Sequence, residues 1–103
     1  HFREDFVKYM KAKHPSVDLG SESENEEEIG KGDRLTLVSL RNYGQKDFWV
    51  YLYLYNYDKI KNPNNVRPGT KILIPALSRS LIDPDSEESI NLAREIKTNF
   101  IKN

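Results

Sequence analysis

The chain has 103 residues, 37% of them hydrophobic and 31% charged, with sixteen bases balanced by sixteen acids and no cysteine. That is material for one domain with appendages, and it excludes disulfides and thiol chemistry. No window approaches the roughly 20 apolar residues of a membrane-spanning helix, and no signal-peptide pattern is visible. Because the chain opens on His1 rather than Met, it is taken as a fragment or a processed form.

The zero net charge hides a segregation. Residues 18–28 hold six acids and no base, whereas residues 29–77 hold eight bases against three acids, about +5. An acidic tether beside a basic module could attract nucleic acid, an acidic glycan or an acidic partner, or could be a plain solvated surface.

In chain order, Phe2, Phe6, Tyr9 and Met10 recur at helical spacing and stop at His14-Pro15, since the residue before proline is pushed out of the helical region. Either this is a short helix packing on something or it is the tail of an upstream domain. His14 has no ligand-spaced partner, so no metal site is expected. Residues 16–28 are rich in Ser, Glu, Asn and Gly and predict a flexible linker. The folded module then starts at Ile29, giving three segments: 1–28, 29–77 and 78–103.

Residues 32–75 carry the only Trp, five of six Tyr and three each of the five Gly and five Pro. Asp33 is placed to cap a helix bearing the apolar stripe Leu35 and Val38, extended by Leu37 with Leu40, and ended by Tyr43-Gly44. The next run, Trp49 to Tyr57, alternates like a strand. Asp47 as a cap, with Phe48, Leu52 and Tyr55 on one face, argues instead for a helix, and the helix is preferred. Such a helix leaves a Tyr51, Leu54, Tyr55 strip uncovered. Asn62-Pro63, Asn64-Asn65 and Pro68-Gly69 are turn chemistry, and residues 71–75 form a closing strand. Asp83, Pro84, Asp85, Glu87 and Glu88 signal a last helix over about 85–101, with Ile90, Ala93, Ile96 or Lys97, and Phe100 along one face, expected to pack on that strip.

The residues Gly32, Asp33, Leu35, Tyr43-Gly44, Trp49, Asn56, the Asn-Pro-Asn-Asn-Val run from Asn62 to Val66 and the Pro-Gly-Thr-Lys-Ile-Leu-Ile-Pro run from Pro68 to Pro75 resemble the LysM module in its bacterial form. The resemblance covers about half the chain. It implies an α+β fold: a β-α-α-β module, two antiparallel strands on two helices, to which this chain adds a C-terminal helix and an N-terminal segment. The first strand falls at Glu27, Glu28 and Ile29, short and without its usual aromatic. Arg34 stands where the family carries a small Thr or Ser.

Catalysis is not expected. Both histidines lie in the first fourteen residues, Asp33, Asp47 and Asp58 fit helix ends, and no phosphate-binding glycine loop occurs. No cofactor or metal is implied. The resemblance implies instead a non-catalytic module for N-acetylglucosamine-containing glycan, peptidoglycan or chitin, held between two loops. One wall would be Gly32, Asp33, Arg34, Leu35 and Thr36, the other Asn62, Pro63, Asn64, Asn65, Val66 and Arg67. The same residues are also explained by turn building alone. The alternatives are an accessory protein-interaction or DNA-associated domain of a larger bacterial protein, such as an HU-type DNA-binding protein or a phage-tail-type assembly, and self-association through the Tyr strip. Nucleic acid would be met only through a fused domain or the basic surface, and the chain itself is expected to be monomeric. Its compartment would be the cell envelope for the glycan reading, the cytoplasm for the DNA-associated one.

Overall fold

The aromatic run that could have been strand or helix is a helix. The structure is a computed structural model describing residues 2–20 and 23–101. Its elements are α1 (Glu4–Lys13), β1 (Glu24–Glu28), α2 (Leu35–Tyr43), a 3-10 turn (Lys46–Phe48), α3 (Trp49–Tyr55), β2 (Lys71–Pro75) and α4 (Glu87–Phe100). The class is α+β, with β1 and β2 antiparallel. In α3, Trp49, Val50, Tyr51, Leu52, Leu54 and Tyr55 are all buried. A helix apolar on every side must be covered on every side, and this one is central: α2, β2 and α4 all pack against it.

Asn56, which ends α3, joins the helix to the sheet. Its side chain is buried; Nδ2 donates to the carbonyls of Leu52 at 2.8 Å and Leu73 at 2.9 Å, and Oδ1 accepts from the Leu73 amide at 2.8 Å. In the antiparallel register Leu73 faces Glu26. The ladder alternates, with Ile29 and Thr70 bonded at one end and Ser23 and Ala76 at the other, so Leu73 turns both its main-chain groups away from β1. The Asn56 amide satisfies them as a third strand would. Tyr43 adds a second tie, its hydroxyl donating to the Pro75 carbonyl at 2.7 Å.

The acidic stretch expected to be a flexible linker is corrected at residues 24–28, which form β1 (residues 21–22 lie outside the described residues). Composition misled because an edge strand needs no apolar side chains of its own. Its stability comes from the main-chain ladder, while Ile72 and Ile74 of β2 supply the burial. Glu27 reaches Arg41 at 3.3 Å and Asn42 at 3.3 Å on α2. A run of glutamates on an exposed edge also discourages pairing with other chains. Residues 18–20 are pinned as well. Ser80 Oγ accepts from the Asp18 amide at 3.2 Å, and a Cβ on Gly20 would lie 2.4 Å from the Ala76 carbonyl oxygen.

The terminal segments share the module's core. Phe6, Met10, Leu81, Ala93, Ile96 and Ile101 belong to the same buried cluster as Ile29, Leu35, Leu52 and Ile72. The N-terminal helix packs on the module through Phe6 and Met10. The last helix, expected over about 85–101, spans Glu87–Phe100, with Ser86 Oγ accepting from the Ser89 amide at 3.4 Å as its cap. α4 was expected to cover the Tyr51, Leu54, Tyr55 strip; the cover is instead shared with α1. Phe2 meets Tyr55 edge-on at 5.0 Å, Phe6 lies 6.0 Å from Tyr51, and the Arg3 amide donates to the Leu54 carbonyl at 3.0 Å. Phe100 of α4 closes the seam against Phe6 at 5.8 Å and Tyr9 at 5.2 Å.

A polar clasp fastens the outer side of that seam. Glu95 Oε2 accepts from the Tyr9 hydroxyl at 2.6 Å and sits 2.7 Å from His14 Nε2, and Asn99 Nδ2 donates to the Tyr9 hydroxyl at 3.0 Å. The Tyr9 hydroxyl, then His14, hold the Glu95 carboxyl below the ordinary carboxylate range, and the same bond raises Tyr9.

Two predictions follow from these ties. Replacing Asn56 by Ala strands both main-chain groups of Leu73 and should cost about 2–4 kcal/mol, lowering Tm on the order of 10 °C or more in thermal melts. The neighbouring Tyr57→Ala, at an exposed position, should change stability by no more than about 0.5 kcal/mol. The second concerns acid. Because the folded state lowers the Glu95 pKa, its contribution is present above the unfolded carboxylate range and is lost as pH falls through the folded value. With Glu95 partly exposed, the effect should stay below about 1 kcal/mol. Protection factors in α1, taken relative to the intrinsic exchange rate at each pH, should fall on acidification in that window, and Glu95→Gln should remove that pH dependence.

Candidate functional site: a cleft between two loops and the last helix

The first loop folds around Gly30 and Gly32. Gly32 takes φ 82°, a left-handed conformation suited to glycine. Asp33 does not cap α2 as expected. Its Oδ2 accepts from the Gly30 amide at 3.0 Å, its amide donates to the Gly30 carbonyl at 3.1 Å, and its carboxylate lies 3.6 Å from Arg41. The capping position belongs to Arg34, in extended conformation and without a side-chain capping bond. Asp33 is one residue too early, so its carboxylate turns back to close the loop. At the far end the expectation holds: Gly44 is left-handed at φ 79° and its amide donates to the Leu40 carbonyl at 3.0 Å. Asp47 likewise caps nothing; Gln45 Oε1 accepts the Lys46 amide at 3.0 Å, and Asp47 instead lies 3.5 Å from Arg94 on α4.

The second loop is held by Asn62, whose Oδ1 accepts from the Asn64 amide and whose carbonyl accepts from the Asn65 amide, both at 3.0 Å. This Asx turn sets Pro63 and Asn64 opposite the start of α2. The two loops enclose a cleft of about 240 Å³ lined by Arg34, Leu35, Thr36, Trp49, Pro63, Asn64 and Lys97. Pockets for drug-sized ligands run roughly 300–1,000 Å³, so a ligand here would lie along the surface.

Five of the eleven expected wall residues therefore meet: Arg34, Leu35, Thr36, Pro63 and Asn64. Leu35 is itself buried. Asn65, Val66 and Arg67 line a separate hollow of about 360 Å³ with Lys59, Ile60, Lys61, Asn62 and Thr70. Gly32 and Asp33 line neither hollow and shape the loop. Two lining residues lie outside both expected walls. Trp49 is buried yet borders the cleft. Lys97 comes from the last helix, more than thirty residues from Pro63, and no sequence signal links them. Trp49 and Lys97 also border a further hollow of about 350 Å³ with Arg94, Thr98 and Ile101. Pro63 and Asn64 likewise continue into one of about 500 Å³ with Tyr53 and Phe100.

The cleft lining is cationic. It contains Arg34 and Lys97 and no carboxylate, and neither cation makes an ion pair among the described residues. No group of three His, Cys, Asp or Glu residues that could hold a metal occurs among the described residues. Burial pushes the Tyr51 hydroxyl far above its ordinary range and leaves it without a hydrogen-bond partner among the described residues; it is sealed from solvent and touches no cleft. Among the described residues no helix is long and apolar enough to cross a membrane. Comparison with family models, with characterised proteins and with solved structures finds no match.

Proposed function

We propose that the chain is a LysM-like, non-catalytic binding module for glycan containing N-acetylglucosamine, of the peptidoglycan or chitin type. The observation that carries this reading is the convergence of the 34–36 and 63–64 segments on one cleft bordered by an indole. The cleft can offer amides at the start of α2 and the Asn64 side-chain amide to an acetamido group. Pro63 and the edge of Trp49 offer its methyl an apolar contact.

An accessory role by protein contact is the second reading, favoured by Leu37 and Leu40, which lie three residues apart on α2 and are about two-fifths exposed (40% and 43%). Direct duplex binding is less well supported. The glutamates of β1 belong to the same folded body as the basic residues, so the excess of about +5 over residues 29–77 does not stand alone.

An amide-shift NMR titration with a chitin tetramer and with a muropeptide tests the proposal. Shifts should concentrate at Arg34, Leu35, Thr36, Asn64, Lys97 and the Trp49 indole. No shift with either ligand at millimolar concentration would overturn the glycan reading. Shifts confined to α2 around Leu37 and Leu40 on adding a partner protein would favour the second. Salt separates the classes further: duplex binding weakens steeply with salt, neutral glycan binding hardly changes, and apolar association tightens.

A further inference from the structure

We infer that the cleft selects an acidic saccharide, an N-acetylated oligosaccharide bearing a carboxylate, over its neutral counterpart, with Arg34 and Lys97 as the discriminating pair. The inference rests on the glycan reading above and narrows it to one chemical class.

Two cations reach the cleft from elements far apart in sequence. Arg34 comes from the loop entering α2, and Lys97 from the last turn of α4. Both are exposed, so each can reorient toward a ligand without desolvating itself beforehand. Among the described residues neither makes an ion pair, in contrast with neighbouring bases. Arg41 is engaged by Glu27 and Asp33, and Arg94 by Asp47. The acids near the cleft are thus already occupied: Asp33 closes its own loop, and Asp47 is turned to Arg94. A neutral sugar would leave the two like charges uncompensated. A carboxylate projecting from the ring would satisfy both, and a guanidinium can take it through two parallel hydrogen bonds. The polar remainder of the lining, Thr36 and Asn64, suits hydroxyl and acetamido groups, and Pro63 with Trp49 suits a pyranose face.

The carboxylate could belong to a lactyl ether on the sugar, as in muramyl oligosaccharides, or to a uronic acid within the chain. The chemistry presented to Arg34 and Lys97 is the same. The experiment is a set of NMR titrations at low ionic strength with three tetrasaccharides: N-acetylglucosamine only, alternating N-acetylglucosamine and N-acetylmuramic acid, and alternating N-acetylglucosamine and glucuronic acid. At least one acidic ligand should bind roughly tenfold tighter than the neutral one, as expected for one charge-assisted contact. Whichever acidic ligand leads identifies the source of the carboxylate.

Raising salt should shrink the preference. Arg34→Gln and Lys97→Gln, both at exposed positions, should each weaken the acidic ligand several-fold more than the neutral one. Together they should bring the three ligands level. Equal affinities for acidic and neutral ligands, or a preference that survives both substitutions, would overturn the inference while leaving the glycan reading intact. Silence with all three would overturn both.

Discussion

One side-chain amide holds the architecture together. A ribbon of two short strands is marginal in water, and each of its strands has an open edge. Asn56 closes the open side of β2 by exchanging two hydrogen bonds with Leu73 while a third returns to its own helix. The consequence reaches beyond the sheet. Asn56 is the residue on which α3 stops, so bonding it to Leu73 fixes the helix against the ribbon in both register and direction. The Tyr43 hydroxyl on the Pro75 carbonyl does the same for α2. With those ties in place, the 30–34 and 61–65 loops are held where they leave the helices, and the cleft between them is an outcome of that frame.

A second constraint concerns how a helix that is apolar all round is kept out of water. The two strands and α2 cannot enclose α3 alone, and the chain's ends complete the cover. Phe2, just before α1, meets Tyr55 edge-on, Phe6 of α1 meets Tyr51 at a tilt, and Phe100 of α4 meets Phe6 edge-on, in one seam. Ring pairs of this geometry contribute about 0.5–1.5 kcal/mol each beyond their area. The Tyr9, Glu95, His14 and Asn99 clasp then orders the two terminal helices against each other. Covering α3 has a functional by-product, because it brings the last turn of α4, and with it Lys97, to the mouth of the cleft. A helix recruited for burial thereby supplies a cation to a binding surface.

Charge is arranged on the same logic. The glutamates of β1 are not a tether but an edge, with Glu27 engaged by Arg41 and Asn42 and Glu24 accepting from the Tyr55 hydroxyl. Asp33 and Asp47 do not line the cleft and have partners of their own in Gly30 and Arg94, although Asp47 shares a neighbouring hollow with Trp49 and Lys97. The lining is left with two positive side chains among neutral ones, although the chain as a whole is neutral.

Much of this was readable in the residues. The helices, the left-handed turn at Gly44, the closing strand ended by Pro75 and the loop chemistry around Asn62 depend on local conformational preference, which a sequence carries directly. The helix at Trp49–Tyr55 could be chosen over a strand because Phe48, Leu52 and Tyr55 keep helical spacing, even though the alternation argued otherwise. Tertiary structure decided what depends on partners distant in sequence. Glu24–Glu28 is a strand only because β2 offers it a ladder, and no composition rule reports that. Asp33 and Asp47 are good caps by type, but the helix starts lie elsewhere, and Gly30 and Arg94 were the nearer partners. Lys97 belongs to the cleft because α4 packs against α3, a contact between surfaces that both needed burial. The local residues determined which pieces form; the demand that every apolar face be covered determined how the pieces meet and which side chains face one another across the cleft.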